Sequence, residues 1–110
     1  MKQKEINDFK RKYFDLSKRI IPNAIIHDPN TLPRHRRLVN EICEWSRDYG
    51  YVFYTRVYSK WGEIIDVVIP GLPSPFIEVR DSELEKTKEY NSDYNNMRAF
   101  VDATDPYKLQ

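Results

Sequence analysis

The sequence predicts an α/β fold of the α+β type: a mixed β-sheet with helices packed on it. Three observations predict it. Two segments, 3–20 and 33–49, repeat apolar residues at three- and four-residue steps. Four short segments, 51–59, 63–69, 76–80 and 97–103, are rich in β-branched and aromatic residues. Their order, with one further helix expected between the last two strands, is α, then α-β-β-β-α-β, which implies a mixed sheet.

Each element has a local cause. In 3–20, Ile6, Phe9, Tyr13, Leu16 and Ile20 form one stripe, and Lys10, Arg11, Lys12, Lys18 and Arg19 fall mostly outside it. The stripe is expected to face the core or a second copy of the chain. Three prolines and two asparagines make 21–33 a loop. Thr31 is the expected cap of the next helix and Pro33 suits its first turn. Leu38, Ile42, Trp45 and Tyr49 are its expected apolar face, and Gly50 a natural stop.

The segment YVFYTRVYS at 51–59 reads as a strand, Ser59–Gly62 as a turn, and EIIDVVI at 63–69 as the most apolar strand. Its nearly unbroken apolar character predicts a central strand covered on both faces. PGLPSP is a turn, and FIEVR at 76–80 is a third strand. Ser82 and Glu85 have capping-box spacing, with Leu84 just inside, and open a helix expected to end near Tyr94. MRAFVDA is the fourth strand and TDPYKLQ a terminal loop.

With 110 residues the chain is expected to form one domain, 1–110, divided into a helix and loop over 1–32 and a core over 33–105. Apolar residues are 40% and charged residues 32%, which predicts a soluble, ordered protein. No apolar run approaches the ~20 residues of a membrane helix. The opening MKQKEINDFKRKYF has no apolar run behind its basic residues, so no secretory signal is expected. The single cysteine, Cys43, can form no internal disulfide and excludes a Cys-based zinc site. An intracellular, cytoplasmic setting fits this. Cys43 is expected to be a packing residue rather than a nucleophile.

The net charge of +1 hides an asymmetry. Residues 1–60 hold 13 Lys/Arg against 7 Asp/Glu, and residues 61–110 hold 5 against 10. A basic half beside an acidic half suits a protein that attracts a polyanion and holds a cation. Two ordinary solvated faces give the same count.

Asp66 interrupts Ile64-Ile65-Asp66-Val67-Val68-Ile69, and Glu78 interrupts Phe76-Ile77-Glu78-Val79-Arg80. A carboxylate in such a run is costly unless paired, hydrogen-bonded or on a metal. If both face one side of neighbouring strands, they make an oxygen-ligand pocket for a hard divalent cation. Such a cation polarises a phosphodiester and acidifies an attacking water, and Arg80, on the face of Glu78, could stabilise the growing charge. Alternatively, Asp66 and Glu78 pair with Arg80, Arg56 or Arg98 in a structural ion network.

These residues and this element order resemble the PD-(D/E)XK nuclease superfamily, which includes restriction enzymes and archaeal Holliday-junction resolvases. The resemblance covers about residues 33–105. GEIIDVVI supplies the family's aspartate as Asp66, and FIEVRDSE supplies the (D/E)XK position as Glu78-Val79-Arg80. It implies a restriction-endonuclease-like fold of core order α-β-β-β-α-β with an extra N-terminal helix. It further implies a hydrolase, a Mg²⁺- or Mn²⁺-dependent endonuclease that binds DNA; so small a domain has little room for sequence-reading loops, so structure-selective cutting is the expectation. Asp66, Glu78 and the Val79 carbonyl would be its metal ligands. His35 stands near the family's first-helix glutamate and should lean toward the core; with Asp66, Glu78 and Arg80 it completes the expected catalytic set. Related resolvases act as homodimers, which makes a second copy an expected partner.

The chain departs from the pattern at two points. Arg80 replaces the lysine, and arginine stays charged, so it cannot serve as a neutral base. Glu41, the other candidate for the helix glutamate, lies six residues past His35 on a different face. A non-catalytic nucleic-acid-binding relative is therefore an alternative, and a protein-interaction or assembly role for the first helix is another. His27 is expected to be an exposed loop residue. Trp45 is expected in the core, and Trp61 is expected to stack on bases or to lid the sheet edge. Asp81 and Glu83 are expected to favour the N-terminus of the following helix.

Overall fold

A computed structural model describes residues 1–80 and 98–102. The elements are α1 (Gln3–Tyr13), α2 (Pro33–Asp48), β1 (Tyr54–Tyr58), β2 (Ile64–Val68), β3 (Phe76–Arg80) and β4 (Arg98–Asp102). They form a small compact α+β domain, two helices on a four-stranded mixed sheet. The sheet order is β1-β2-β3-β4. β1 and β2 are antiparallel, as are β2 and β3, whereas β3 and β4 are parallel. The helix expected from Ser82 and the last loop fall outside the described residues, together with Asp81 and Glu83.

β2 is interior, as its apolar run predicts: Ile65, Val67 and Val68 are fully buried. Two cores sandwich the sheet. The one under α1 is mostly aromatic, built from Ile6, Tyr13, Phe14, Tyr54, Val57, Ile65, Val68 and Phe76. The one under α2 is mostly aliphatic, built from Leu38, Val39, Ile42, Cys43, Phe53, Val67, Ile69, Ile77 and Val79.

α1 is shorter than its stripe predicts. It stops at Tyr13, and Leu16 is exposed. The cause is tertiary. Phe14 buries completely and bridges to Ser59, while Asp15 N–H donates to the Tyr58 carbonyl at 2.8 Å. These bonds turn the chain away from the helix axis and strap it to the outer edge of β1. A second strap covers the other half of that edge. Asn23 N–H donates to the Phe53 carbonyl, Phe53 N–H to Asn23 Oδ1, and Ile26 N–H to Thr55 Oγ1. Unpaired strand edges invite association with other chains, and the straps occupy this one.

α2 begins at Pro33 as expected, but its N-cap is Leu32 and Thr31 does not cap it. Thr31 Oγ1 donates instead to the Asp28 carbonyl at 2.7 Å. The buried face of α2 is Leu38, Val39, Ile42, Cys43 and Ser46, one step round from the expected stripe. Tyr49 is exposed, and Trp45 is half-buried against Tyr49 and Tyr51. Gly50, at φ 76°, takes the left-handed turn that ends the helix. Trp61 lids the α1-side core, its ring 5.9 Å from that of Tyr13. No helix among the described residues is long and apolar enough to cross a membrane.

Candidate functional site

The hairpin register sets the site. Tyr54, Thr55, Val57 and Tyr58 pair with Val68, Val67, Ile65 and Ile64. Arg56 and Asp66 fall opposite one another between these pairs and are left out of the ladder. Arg56 has φ 50°, the left-handed region. Strand side chains alternate faces with period two, but here the alternation slips. Tyr54 and Val57 are three residues apart, and both belong to the α1-side core. So do Ile65 and Val68. The slip on both strands turns Arg56 and Asp66 out of the packing.

Both residues line one open cleft at the end of the α2-side core. His27, Asp28 and Thr31 come from the loop, His35 and Val39 from α2, and Ile64 from β2. Asp66 reaches the seam between β2 and β3, where its Oδ2 accepts the Val79 N–H at 2.8 Å. That bond is charge-assisted and fixes the carboxylate. The Asp66 side chain is 27% exposed and that of His35 is 13% exposed. His35 Nε2 lies 3.6 Å from Asp66 Oδ2, inside ion-pair range but longer than a hydrogen bond. The expectation that His35 leans toward the core holds. Arg34 and Arg37 are exposed beside it, and Arg36 donates to the Thr31 carbonyl. The charged side chains that line the cleft itself are Asp28, Arg56 and Asp66.

The other expected site residues distribute differently. Ile77 and Val79 flank Glu78 and both pack in the α2-side core. In a regular strand Glu78 then leaves on the α1 side, with Phe76, and it is not among the residues lining the cleft. This differs from the expectation that Asp66 and Glu78 face one side, and the slip at Asp66 is the reason. Arg80 ends β3, paired in register with Asp102. Val79 contributes its backbone N–H to the seam. Glu41 is exposed. His27 is less exposed than expected, with Nε2 3.1 Å from Asn40 Oδ1.

In the structural ion network considered, the Arg56 arm is different, and the arms to Arg80 and Arg98 lie outside the described side chains. Arg56 Nη2 lies 3.6 Å from Asp28 Oδ2, not on Asp66. Cys43 is fully buried, and burial pushes its thiol up to about 12, which suits packing and not nucleophilic work. Sequence reasoning missed Asp28 and the placement of Arg56. Signals for both existed. Asp28 precedes Pro29 and Asn30, and its Oδ1 accepts the Asn30 N–H in an Asx turn. Counting back from the Ser59–Gly62 turn sets Arg56 opposite Asp66.

Among the described residues, no group of three or more His, Cys, Asp or Glu side chains gathers to hold a metal ion. Two side-chain donors, His35 Nε2 and Asp66 Oδ2, are spaced closely enough to share one. Comparison of the chain with family models, with curated proteins and with solved structures finds no match.

Proposed function

We propose that the chain is a metal-dependent nuclease that cleaves DNA phosphodiester bonds, built on a restriction-endonuclease-like core. The observation that supports it is Asp66: a carboxylate set in a largely buried central strand, pinned by Val79 N–H at the β2–β3 seam, and open to a cleft it shares with His35 and Arg56. The order α2-β1-β2-β3, followed by β4 alongside β3, is in keeping with the core order of that fold.

Asp66 and the Val79 carbonyl would hold Mg²⁺ or Mn²⁺, with His35 as a nitrogen donor or as the acceptor of a proton from water. Imidazole beside carboxylate favours Mn²⁺ over Mg²⁺. When bound, the cation supplies polarisation of the phosphodiester and a more acidic water. Glu78 joins the set only by turning across the seam beside Val79. Arg56 in the cleft and the exposed Arg34 and Arg37 near the start of α2 would draw in the polyanion, and a homodimer would supply the two sites that duplex cutting needs.

Purified protein with Mg²⁺ or Mn²⁺ is expected to cut single-stranded, duplex or branched DNA, and Asp66→Ala is expected to lower the rate at least 100-fold. The reading fails if the wild-type chain leaves all three substrates uncut and Arg80→Lys confers no cutting.

A second reading is favoured by the alternation in β3. With Glu78 directed off the cleft, the same surface would bind nucleic acid without hydrolysing it. Its signature is salt-sensitive DNA binding with no cleavage. The assembly reading has less support, since Ile6, Phe9 and Tyr13 of α1 pack on the chain's own aromatic core.

A further inference from the structure

We propose that Arg56 is a phosphate-binding residue of the cleft, held in a left-handed backbone conformation so that its guanidinium meets a phosphodiester oxygen. The proposal rests on the nucleic-acid-binding part of the reading above and not on cleavage.

The first observation is the backbone. Arg56 has φ 50° inside a strand. A side chain there is disfavoured, and glycine, asparagine and aspartate are the residues that tolerate it. Arginine gains nothing locally from that geometry. The second is what the geometry achieves. In an unbroken strand Arg56 would share a face with Tyr54, whose ring packs against Phe14 in the α1-side core. A guanidinium there would be desolvated among aromatic rings. The left-handed step moves it to the cleft and lets Val57 take the buried place.

The third observation is how little Arg56 does for the fold. Its ionic partner among the described residues is Asp28, at 3.6 Å, and each side chain is 35% exposed. A pair that long and that open contributes little. A guanidinium has five N–H donors in a rigid fork suited to phosphate oxygens. Two carboxylates, Asp28 and Asp66, face the same space and would repel an anion. Against them stands the Arg56 guanidinium, with the His27 and His35 imidazoles lining the same cleft, each able to donate an N–H.

The test pairs stability with binding. Binding of a fluorescein-labelled single-stranded DNA is measured by anisotropy in EDTA, at several salt concentrations, so that it does not depend on cleavage. Melting temperature is read on the same samples. Glycine accepts φ 50° without strain, so Arg56→Gly is expected to melt no lower than wild type. Its DNA affinity is expected to fall at least tenfold, with a salt dependence reduced by about one phosphate contact. Arg56→Asn, which also tolerates this backbone, is expected to behave alike, and Arg56→Lys to retain part of the affinity. If both Gly and Asn variants melt several degrees lower, Arg56 is a structural residue and the proposal is overturned. If they bind DNA like wild type, it is also overturned, whether or not the wild-type chain cuts DNA. If the wild-type chain cuts nothing yet binds through Arg56, the nuclease reading falls and the phosphate site stands. If the wild-type chain does not bind DNA at low salt, both fall.

Discussion

The two faces of the sheet are packed by different chemistry. Under α1 lie Tyr13, Phe14, Tyr54 and Phe76, with Phe9 and Trp61 against them. Their rings meet at 4.8–5.9 Å in mostly tilted or edge-to-face pairs. Under α2 lie aliphatic side chains of Leu38, Val39, Ile42, Val67, Ile69, Ile77 and Val79, and one end of that layer opens into a cleft holding His35, Asp66 and Arg56. Large rings bury much area from few residues, so a short helix suffices to close the first face. The longer α2 closes the second face incompletely and leaves room for polar groups. The aromatic face is closed packing, whereas the aliphatic face, at its open end, gathers polar groups in a cleft.

The largest expected effect breaks the scaffold. Phe76 is fully buried and contacts the rings of Phe9 and Tyr13 at 5.6 and 5.1 Å. Phe76→Ala is expected to destabilise the fold by about 3–5 kcal/mol, seen as a lower urea midpoint. A change under 1 kcal/mol would mean that the α1 side is not a packed core. Next is the strap that joins β1 to the cleft loop. Thr55 Oγ1 donates to the Ala24 carbonyl and accepts the Ile26 N–H, each at 2.8 Å. Thr55→Val keeps the shape and orphans both groups, at a cost of about 1–3 kcal/mol. Because His27 and Asp28 follow in the same loop, DNA binding should weaken with it. Equal binding would show that the loop half of the cleft is dispensable.

Smaller effects sharpen the contrast without breaking it. Cys43 is sealed in the aliphatic layer, so a thiol reagent at pH 8 should label it only in denaturant. Its raised pKa also carries a sign. Burial favours the neutral thiol, so that contribution is present below the unfolded thiol's pKa and is lost as pH rises toward about 12. Stability should therefore decline above roughly pH 9, and Cys43→Ala should flatten that decline. The smallest effect is at the surface of the scaffold side. The Ser17 hydroxyl and amide hold the Asp15 carboxyl below its ordinary pKa. Any stability this gives is present above the ordinary carboxylate pKa and lost as pH falls through the lowered value. In a carboxyl NMR titration, Ser17→Ala should raise the Asp15 midpoint toward the ordinary value.

Much of this architecture is legible in the sequence. Pro33 and Gly50 bracket α2, the run at 64–69 marks a central strand, and Asp66 stands out as the costly residue within it. The ends of elements are less legible. The α1 stripe continues to Ile20 in the sequence, yet the helix stops at Tyr13 because Phe14 gains more by burying against Tyr54 than by extending an exposed turn. The α2 face rotates from Trp45 and Tyr49 to Cys43 and Ser46 for a similar reason: small side chains allow close approach to the sheet, while Trp45 stacks on Tyr51 and Tyr49 packs on Trp45 at the margin.

Among the described residues, the sequence by itself determined the kinds of element, their order, and the presence of two carboxylates in apolar strands. These follow from local periodicity and from the high cost of burying charge. Only the tertiary structure decided which polar groups meet. Facing is inherited residue by residue along a strand, so one left-handed residue resets the phase of everything after it. Arg56 makes that step, Asp66 answers it across the hairpin, and no residue type at either position announces it.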